Sequence, residues 1–255
     1  MLSSVCPLSK NVTTDLSSVS EAVFSKKIII KTNQPPFWKQ ILSYLFEFHI
    51  ESAPSEINPH LYVSLSRGRY QLSTANAIYS FEDLYDNFFD AFKEVNLDQY
   101  PIKNVLILGL GLGSIPLMLE KNFEKKYNYT AVEIDESVIY LASKYTLPQL
   151  ESNIQMVCAD AFAYVMQTEQ KFDLICMDVF LDNVVPEEFE ENGFLKKLKT
   201  LVNDDGILLF NRLASHPKDV EKTKVFYHEN FKAVFPEGNY LEVKGNWMLL
   251  NKSQV

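Results

Sequence analysis

The chain has few of the residues that build disulfide frameworks or metal sites. Its 255 residues include three cysteines, Cys6, Cys158 and Cys176, whose spacing fits neither a paired framework nor a thiolate metal site. The four histidines are scattered without the short spacing of a ligand pair: His49, His60, His216 and His228. Two of the cysteines stand in apolar runs, where a thiol packs as a small hydrophobic side chain. We therefore expect no metal and a reducing, cytoplasmic environment.

Long apolar runs and clusters of basic residues are also missing. No stretch reaches the roughly 20 apolar residues that a membrane-spanning helix needs. Residues 1–20 have neither the basic start nor the continuous apolar segment of a secretory signal. The formal net charge is −9, from 33 acidic and 24 basic residues, with no dense stripe of lysine and arginine. This balance disfavours nucleic-acid and membrane partners and is compatible with a cationic small molecule such as an amine.

Beyond residue 101, short apolar segments alternate with amphipathic ones. Strand-like runs lie at 105–110, 129–134, 154–159, 172–178 and 206–213, with helical patterns between them at 114–125, 136–145, 161–167 and 186–202. A turn is predicted at 204–206, a last helix at 218–234 and a hairpin at 240–251. Strands that are apolar nearly throughout and alternate with helices are typical of a parallel sheet covered on both faces. The sequence therefore predicts an α/β domain.

The N-terminal part has a different texture. Residues 26–72 are rich in β-branched and aromatic side chains, notably at 27–31 and 41–50. Arg67 and Gly68 separate two strand-like runs, as in a hairpin, and a helical pattern at 81–95 follows. We therefore divide the chain into residues 1–80, a tail with a small β region, and residues 81–255, the α/β domain.

Three of the chain's eight glycines fall within five residues. Gly109, Gly111 and Gly113 follow the first parallel strand and open a helix, where glycine permits a tight turn and lets backbone N–H groups approach a ligand. Such a loop alone is common in α/β proteins. A dinucleotide-binding loop needs its third glycine at position 114, which is Ser114 here. The spacing therefore favours an adenosyl-amino-acid cofactor over NAD.

Acidic residues end the strands that follow the glycine loop. Glu133 either accepts hydrogen bonds from the two hydroxyls of a ribose or is a solvated strand end. Asp160, with Ala161 after it, either accepts from an adenine amino group or caps the next helix. Asp178 ends a central strand where open α/β sheets bind ligands, and Asp182 either shares that pocket or faces water. Because the loop and these acids follow four successive strands, we predict one ligand site.

These motifs resemble those of the spermidine synthases, the polyamine aminopropyltransferases, and of their class I S-adenosylmethionine-dependent methyltransferase relatives. The resemblance runs from about residue 61 to residue 251. It rests on NVLILGLGLG at 104–113, AVEID at 131–135, the Asp160–Ala161 pair and FDLICMD at 172–178. It implies a Rossmann-like class I methyltransferase fold: a mostly parallel seven-stranded sheet with an antiparallel C-terminal hairpin, plus a small N-terminal β region.

The resemblance also implies a ligand and a set of roles. S-adenosylmethionine, or its decarboxylated form, is expected against residues of the loop and the strand ends: Gly109, Gly111, Gly113, Glu133, Asp160 and Ala161. Asp178 matches the family's catalytic aspartate. A homodimer formed through the N-terminal β region is implied by the resemblance as well.

The chain departs from the family pattern in the acceptor half of the site. Leu112 stands where the family has an aspartate that contacts the amine-bearing arm of the donor. Residues 85–87 read Tyr-Asp-Asn in place of the family's Tyr-His-Glu, and residues 179–182 lack its Ser-x-Asp-Pro. Tyr79 and Tyr85 are candidates for the wall of an acceptor pocket, and packing in the core or at an interface is their alternative explanation.

The sequence thus predicts a transferase that moves an alkyl group from a sulfonium nucleoside to a small-molecule acceptor. Asp178 is the predicted base, with Asp182 assisting. Leu112 in place of the acid favours methyl transfer from S-adenosylmethionine as the leading hypothesis. Two alternatives stay open: a polyamine aminopropyltransferase that uses decarboxylated S-adenosylmethionine, and a non-enzymatic relative that keeps the fold to bind a partner. Ser114 disfavours an NAD-dependent oxidoreductase.

Overall fold

The N-terminal β region forms a sheet of its own. The structure is a computed structural model that describes residues 34–74, 78–181 and 184–253, so the predicted strand at 27–31 lies outside the described residues. Four antiparallel strands pair in chain order: β1 (Phe48–Ser52), β2 (Tyr62–Ser66), β3 (Arg69–Ser73) and β4 (Ile78–Ser80). The predicted hairpin is β2–β3. Its turn residues Arg67 and Gly68 have φ of 50° and 74°, as a two-residue hairpin turn requires.

One part of the predicted β region is helical. Residues Phe37–Leu42 form α1, and within the stretch 41–50 only the part from Phe48 onward pairs with a neighbouring strand. The helix begins directly after Pro35 and Pro36, because a proline ring fits the start of a helix and not its interior. Aromatic and β-branched content alone was therefore a wrong guide to this segment.

Seven strands form the central sheet: β5 (Asn104–Leu108), β6 (Asn128–Glu133), β7 (Asn153–Cys158), β8 (Phe172–Met177), β9 (Val202–Leu213), β10 (Asn239–Val243) and β11 (Asn246–Leu250). Their order across the sheet is β10-β11-β9-β8-β5-β6-β7. The pairs from β9 to β7 are parallel, and β11 and β10 add antiparallel at one edge. The predicted fold is confirmed.

The register of the parallel strands brings their carboxyl ends level. Leu108 pairs with Val132 on one side and with Met177 on the other, and Val132 pairs in turn with Val157. The loops after β5, β6, β7 and β8 therefore leave the sheet side by side, at the edge where open α/β sheets bind ligands.

Helices cover both faces of the sheet: α2 (Asp86–Glu94), α3 (Ser114–Asn122), α4 (Glu136–Tyr145), α5 (Ala161–Gln167), α6 (Asn192–Leu201), α7 (Pro217–Phe226) and α8 (Lys232–Val234). A π-helical turn, Tyr227–Phe231, joins the last two. Two of these helices, α4 and α5, have the predicted bounds. Within the described ranges, no helix is long and apolar enough to cross a bilayer.

Two predicted boundaries near the end of the sheet were wrong. The helix predicted at 186–202 begins only at Asn192, after a 3-10 turn at Glu187–Glu190. Apolar side chains continue across this break, so periodicity alone did not reveal it. The turn predicted at 204–206 lies inside β9 as a bulge. It interrupts the pairing of β9 with β8 between the pairs Phe172–Val202 and Leu174–Ile207.

Side chains of the central strands are buried on both faces. In β5, Leu106 and Leu108 pack into one apolar cluster while Val105 and Ile107 pack into the other, and all four are fully buried. A third cluster joins the small sheet to α4. Its members include Leu61, Val63, Leu72, Leu112 and Leu141. The small sheet is therefore held beside the edge where the four loops emerge, and the proposed domain boundary at 80/81 follows β4 directly.

Substitution of Gly109 tests how closely the loop after β5 packs against the end of β8. A Cβ at Gly109 would lie 2.3 Å from the backbone oxygen of Asp178, and its φ is +85°. We expect Gly109→Ala to lower the free energy of unfolding by at least about 2 kcal/mol, measured by urea denaturation. Gly193→Ala is the matched control, because open space surrounds that position in α6 and alanine should raise stability by up to about 1 kcal/mol. Equal effects of the two substitutions would contradict the packing.

Candidate active site

A cleft of about 490 Å³ opens at the carboxyl edge of the central sheet. Most of the predicted site residues line it: Tyr79, Tyr85, Gly109, Gly111, Glu133, Asp160, Ala161 and Asp178. Gly113 is not among the lining residues, and Asp182 lies outside the described residues. Glu133 and Asp178, on which the enzymatic hypothesis depends, share this one cleft.

The glycine loop contributes Gly109 and Gly111 to the lining of the cleft. At Gly111, a Cβ would lie 3.0 Å from the Cβ of Ser80. Gly113 instead precedes α3 with φ of +88°, and a Cβ there would lie 2.9 Å from Leu147 Cδ2. The structure therefore places Gly113 in the turn that starts the helix and brings only the first two glycines to the cleft.

Glu133 is bonded to the glycine loop from the next strand. Its Oε2 accepts hydrogen bonds from the N–H groups of Leu110 (3.1 Å) and Gly111 (3.4 Å), and its Oε1 accepts from Asp135 N–H (3.1 Å). Burial raises the pKa of the Glu133 carboxyl above its usual value, and these three N–H groups lower it in part. An ionised carboxylate offers about four acceptor positions, so about one stays available to a ligand, on Oε1.

Asp178 follows β8 and is held from two sides. Its Oδ1 accepts hydrogen bonds from Asn211 Nδ2 (2.8 Å) and from the Tyr85 hydroxyl (3.3 Å). Burial raises the pKa of Asp178 to about 6, a shift that these two bonds reduce and the nearby charge of Glu133 increases. A carboxyl with such a pKa exchanges protons near neutral pH, which is the property of a general base.

Asp160 is a helix cap and a cleft residue at once. Its Oδ1 accepts from Ala163 N–H (2.8 Å), the cap that the sequence offered as the alternative interpretation. The residue also lines the cleft, with the buried Ala161 beside it. In the described part of the chain no hydrogen bond reaches Asp160 Oδ2, so that oxygen can accept from a ligand while the cap stays intact.

Tyr79 belongs to a network that sequence reasoning missed. Its hydroxyl donates to Asn58 Oδ1 (2.9 Å), and Asn58 Nδ2 donates to Asp135 Oδ2 (2.7 Å). Ser55 donates to the same carboxylate oxygen (2.5 Å), while Asp135 Oδ1 caps α4 at Ser137 N–H (2.9 Å). The cleft wall formed by the small sheet is therefore fixed to the turn after Glu133.

The sequence model of the spermine/spermidine synthase domain matches residues 92–244, more than half of the chain and all of its parallel strands. This chain belongs to the spermine/spermidine synthase family. Family membership agrees with the fold.

The individual relatives have low sequence identity to this chain. A polyamine aminopropyltransferase of Vibrio vulnificus is 30% identical over 140 residues, which cover 53% of this chain and 44% of the relative. The structure of human methyltransferase-like protein 13 in complex with SAH has a TM-score of 0.51 at 25% identity, covering 68% of this chain and 78% of that one. Spermidine synthase from Thermotoga maritima shares the fold, with a TM-score of 0.60 at 18% identity over 80% of this chain and 72% of its own. The chain spans less than half the length of the curated relatives it matches.

Leu112, the departure from the spermine/spermidine synthase pattern, does not face the cleft. Its side chain is fully buried and packs in the cluster that joins the small sheet to α4, beside Leu61 and Leu141. The aspartate expected here would be costly to bury in that apolar cluster. This member of the family therefore has no acid from the glycine loop directed at a ligand.

Apolar side chains such as Phe180 and Leu213 also line the cleft, together with one exposed ion pair, between Asp86 and Lys244. Glu188 lines the cleft as well and has no hydrogen bond or ion pair within the described residues. No group of three or more His, Cys, Asp or Glu in the described ranges is arranged to hold a metal ion.

Two asparagines that sequence reasoning missed lie next to Asp178. Asn211 is on β9, the neighbour of β8, and Asn246 lines the cleft from the start of β11. Asn211 sits near the carboxyl end of a parallel strand, as Glu133 and Asp178 do, so the same positional rule could have found it. Asn246 gave no comparable signal, because its place depends on the antiparallel pairing of β11 with β9.

The raised pKa of Asp178 predicts a pH-dependent gain in stability for Asp178→Asn. Because the folded-state pKa is about 6 against an ordinary 3.8, the folded state binds the extra proton between those values. The contribution of Asp178 to the stability of the fold should therefore fall as pH rises from 4 to 6. Asp178→Asn removes this loss, so its free energy of unfolding should exceed wild type by about 2 to 3 kcal/mol at pH 7 and by little at pH 4.

Asp173→Asn, at the opposite end of β8, is the matched control. Burial acts to raise the pKa of Asp173, but hydrogen bonds from Asn104 N–H, Lys103 N–H and the Asn203 amide lower it below its usual value overall. Ionised Asp173 thus stabilises the fold above its unfolded pKa, and its loss should destabilise the chain at pH 7. Denaturation curves at several pH values measure both variants, and the same sign for the two would contradict the electrostatics.

Proposed function

We propose that this chain is an aminopropyltransferase, which moves the aminopropyl group of decarboxylated S-adenosylmethionine to an amine with Asp178 as the base. The observation that carries the proposal is that Glu133 and Asp178 line one cleft beside the glycine loop. The family and the activity named for the Vibrio vulnificus relative favour aminopropyl transfer over methyl transfer, the leading hypothesis from Leu112.

The glycine-loop end of the cleft fits the nucleoside of the donor. Gly109 and Gly111 line the cleft, and their backbone there is open to a ligand. Glu133 has a free acceptor position, and its 3.4 Å bond to Gly111 N–H is the longest of its three, so a ribose hydroxyl can replace it at little cost. Asp160 Oδ2 is the acceptor for the adenine amino group.

Asp178 supplies the proton acceptor that the reaction needs. An amine acceptor is protonated at neutral pH and attacks only after it loses a proton. With a pKa of about 6, the Asp178 carboxylate is mostly ionised at pH 7 and takes that proton. The amine nitrogen then forms a bond to the carbon next to the sulfonium. The carbon–sulfur bond breaks, and its electron pair leaves with a neutral thioether.

Methyl transfer from S-adenosylmethionine is the second candidate, and two observations favour it. Leu112 is buried away from the cleft, so no loop acid contacts the amine end of an aminopropyl donor. The human methyltransferase-like structure at 25% identity binds SAH. The two candidates share the nucleoside site and the base, and they differ in the donor tail and the group transferred.

Four predictions from the sequence accompany this proposal. The division into residues 1–80 and 81–255 assigns the nucleoside site to the second part, with Tyr79 reaching it from the first. Homodimerisation and a cytoplasmic location stay predictions. Asp182 stays a proposed assistant of Asp178.

Glu133→Gln should weaken nucleoside binding at least about tenfold, because the amide loses the charge and one acceptor oxygen for the ribose hydroxyls. Isothermal titration calorimetry with SAH and with decarboxylated S-adenosylmethionine measures this. Asp173→Asn changes an acid at the other end of the sheet and should leave both affinities within about twofold. Binding by Glu133→Gln as tight as wild type would remove the proposed nucleoside site.

Turnover distinguishes the candidate functions. Incubation with decarboxylated S-adenosylmethionine and putrescine should give spermidine by mass spectrometry, whereas S-adenosylmethionine with the same amine would give an N-methyl product if the second candidate is right. Asp178→Asn should lower kcat at least about a hundredfold while the affinity for SAH, which carries no sulfonium charge, stays nearly unchanged. Nucleoside binding without any product would favour the non-enzymatic relative.

A further inference from the structure

Two side-chain amides connect the C-terminal hairpin to Asp178. Asn246 Nδ2 donates to Asn211 Oδ1 (2.8 Å), and Asn211 Nδ2 donates in turn to Asp178 Oδ1 (2.8 Å). Asn211 is only 1% exposed, so water does not compete for its amide. Because Asn246 already donates to the Asn211 oxygen, the amide presents its N–H end to the carboxyl.

The carboxyl of Asp178 is therefore bonded through one oxygen only. The Tyr85 hydroxyl donates to the same Oδ1 (3.3 Å). Within the described residues, Oδ2 accepts no hydrogen bond, and Asp178 lines the cleft. Of the two oxygens, Oδ2 is thus the one free to take a proton from a ligand.

We propose that Asn246 and Asn211 act as positioning residues that fix the orientation of the Asp178 carboxyl. Their hydrogen bonds occupy Oδ1 and leave Oδ2 as the proton acceptor. The role in turnover rests on the proposed function, whereas the effect on ionisation belongs to the protein alone. The amides act on Asp178 in series: Asn246 sets the orientation of Asn211, and Asn211 stabilises the ionised carboxyl.

Neutral donors suit this position better than a cation would. A lysine or arginine against Asp178 would hold the carboxylate so strongly that it became a weak base, and its charge would repel a sulfonium and an ammonium. The Asn211 amide and the Tyr85 hydroxyl are neutral donors that stabilise the ionised carboxylate without adding a positive charge. They partly oppose the burial and the charge of Glu133, which together raise the pKa of Asp178 to about 6.

Other ionisable groups face Asp178 from the surrounding elements. Glu133 faces it from β6, Tyr85 from the segment before α2, and Cys176 from its own strand. Asp86, Lys244, Asp160 and Glu188 line the same cleft. None of these is changed by substituting either asparagine, so a shift in the ionisation of Asp178 reports on the amides.

The test is the ionisation midpoint of Asp178, read by carbon-13 NMR of the side-chain carboxyl and assigned by loss of the signal in Asp178→Asn. Asn211→Leu removes the donor at similar volume, and the midpoint should rise by about one pH unit. Asn246→Ala frees the Asn211 amide to turn its oxygen toward Asp178, where it can accept a hydrogen bond from the protonated carboxyl. Because this stabilises the protonated form, the midpoint should also rise, by less than in Asn211→Leu. Where turnover is measurable, the acid limb of kcat/KM should move by the same shifts.

The double variant shows whether the amides act in series. With Asn211→Leu already present, Asn246→Ala should add no further rise, because its effect passes through Asn211. Asn251→Ala is the matched control: that asparagine follows the far end of β11, bonds to Leu208 N–H and Gly206 O, and should leave the midpoint unchanged.

The outcomes separate this inference from the proposed function. An unchanged midpoint in Asn211→Leu, or a rise from Asn246→Ala that persists in the double variant, overturns the inference even if the enzyme is active. If Asn211→Leu does not fold, the half-buried Asn246 decides the question: a rise with Asn246→Ala and none with Asn251→Ala supports the inference, and any other pair of results overturns it. If the midpoint shifts as expected but no turnover is found, the positioning role of the two asparagines is supported and the proposed function is contradicted.

Discussion

The site depends on the close approach of the β5 loop to the end of β8. At Gly109 the chain passes so near the Asp178 backbone that a Cβ would lie 2.3 Å from the carbonyl oxygen. Asp178 N–H in turn donates to Leu108 O (2.8 Å), and Gly109 N–H donates to Val132 O (3.0 Å). Three parallel strands are thus joined one residue beyond their ladders. This junction puts the glycine loop, Glu133 and Asp178 around one cleft.

Features that depend on local chemistry were predictable from the sequence. The bounds of α4 and α5 follow from the capping aspartates Asp135 and Asp160 and the apolar spacing after them. The acids after successive strands could be predicted to share one site, because the carboxyl ends of parallel strands meet at one edge of the sheet. The structure brings Glu133 and Asp178 together there.

Features that depend on contacts between distant segments were not predictable. The bond from Asn246 to Asn211 joins residues 35 apart, and that from Asn58 to Asp135 joins residues 77 apart. Leu112 looked like the loss of a ligand contact, whereas the structure shows its packing against the small sheet. Composition also failed at Phe37–Leu42, where the prolines before the segment outweigh its aromatic content. For the two hydrogen bonds and for Leu112 the deciding partner lies far along the chain, whereas at Phe37–Leu42 it is the adjacent pair of prolines, which the prediction from composition ignored.

The acids of the cleft illustrate the opposition between stability and function. Burial of Glu133 and Asp178 raises the pKa of both carboxyls, which disfavours ionisation in the folded state. Hydrogen bonds from loop N–H groups and from neutral side chains offset part of that cost without adding a cation. A cationic nucleoside would complete the compensation, because it brings positive charge beside two carboxylates. The two carboxyls are therefore compatible with the sulfonium nucleoside that we propose as the ligand.

The most direct test is a crystal structure of the chain soaked with SAH. We expect the ribose hydroxyls within hydrogen-bond distance of the Glu133 carboxylate and the sulfur directed toward Asp178. A nucleoside bound away from Glu133, or bound in the cleft with its sulfur directed away from Asp178, would contradict the shared site of donor and base.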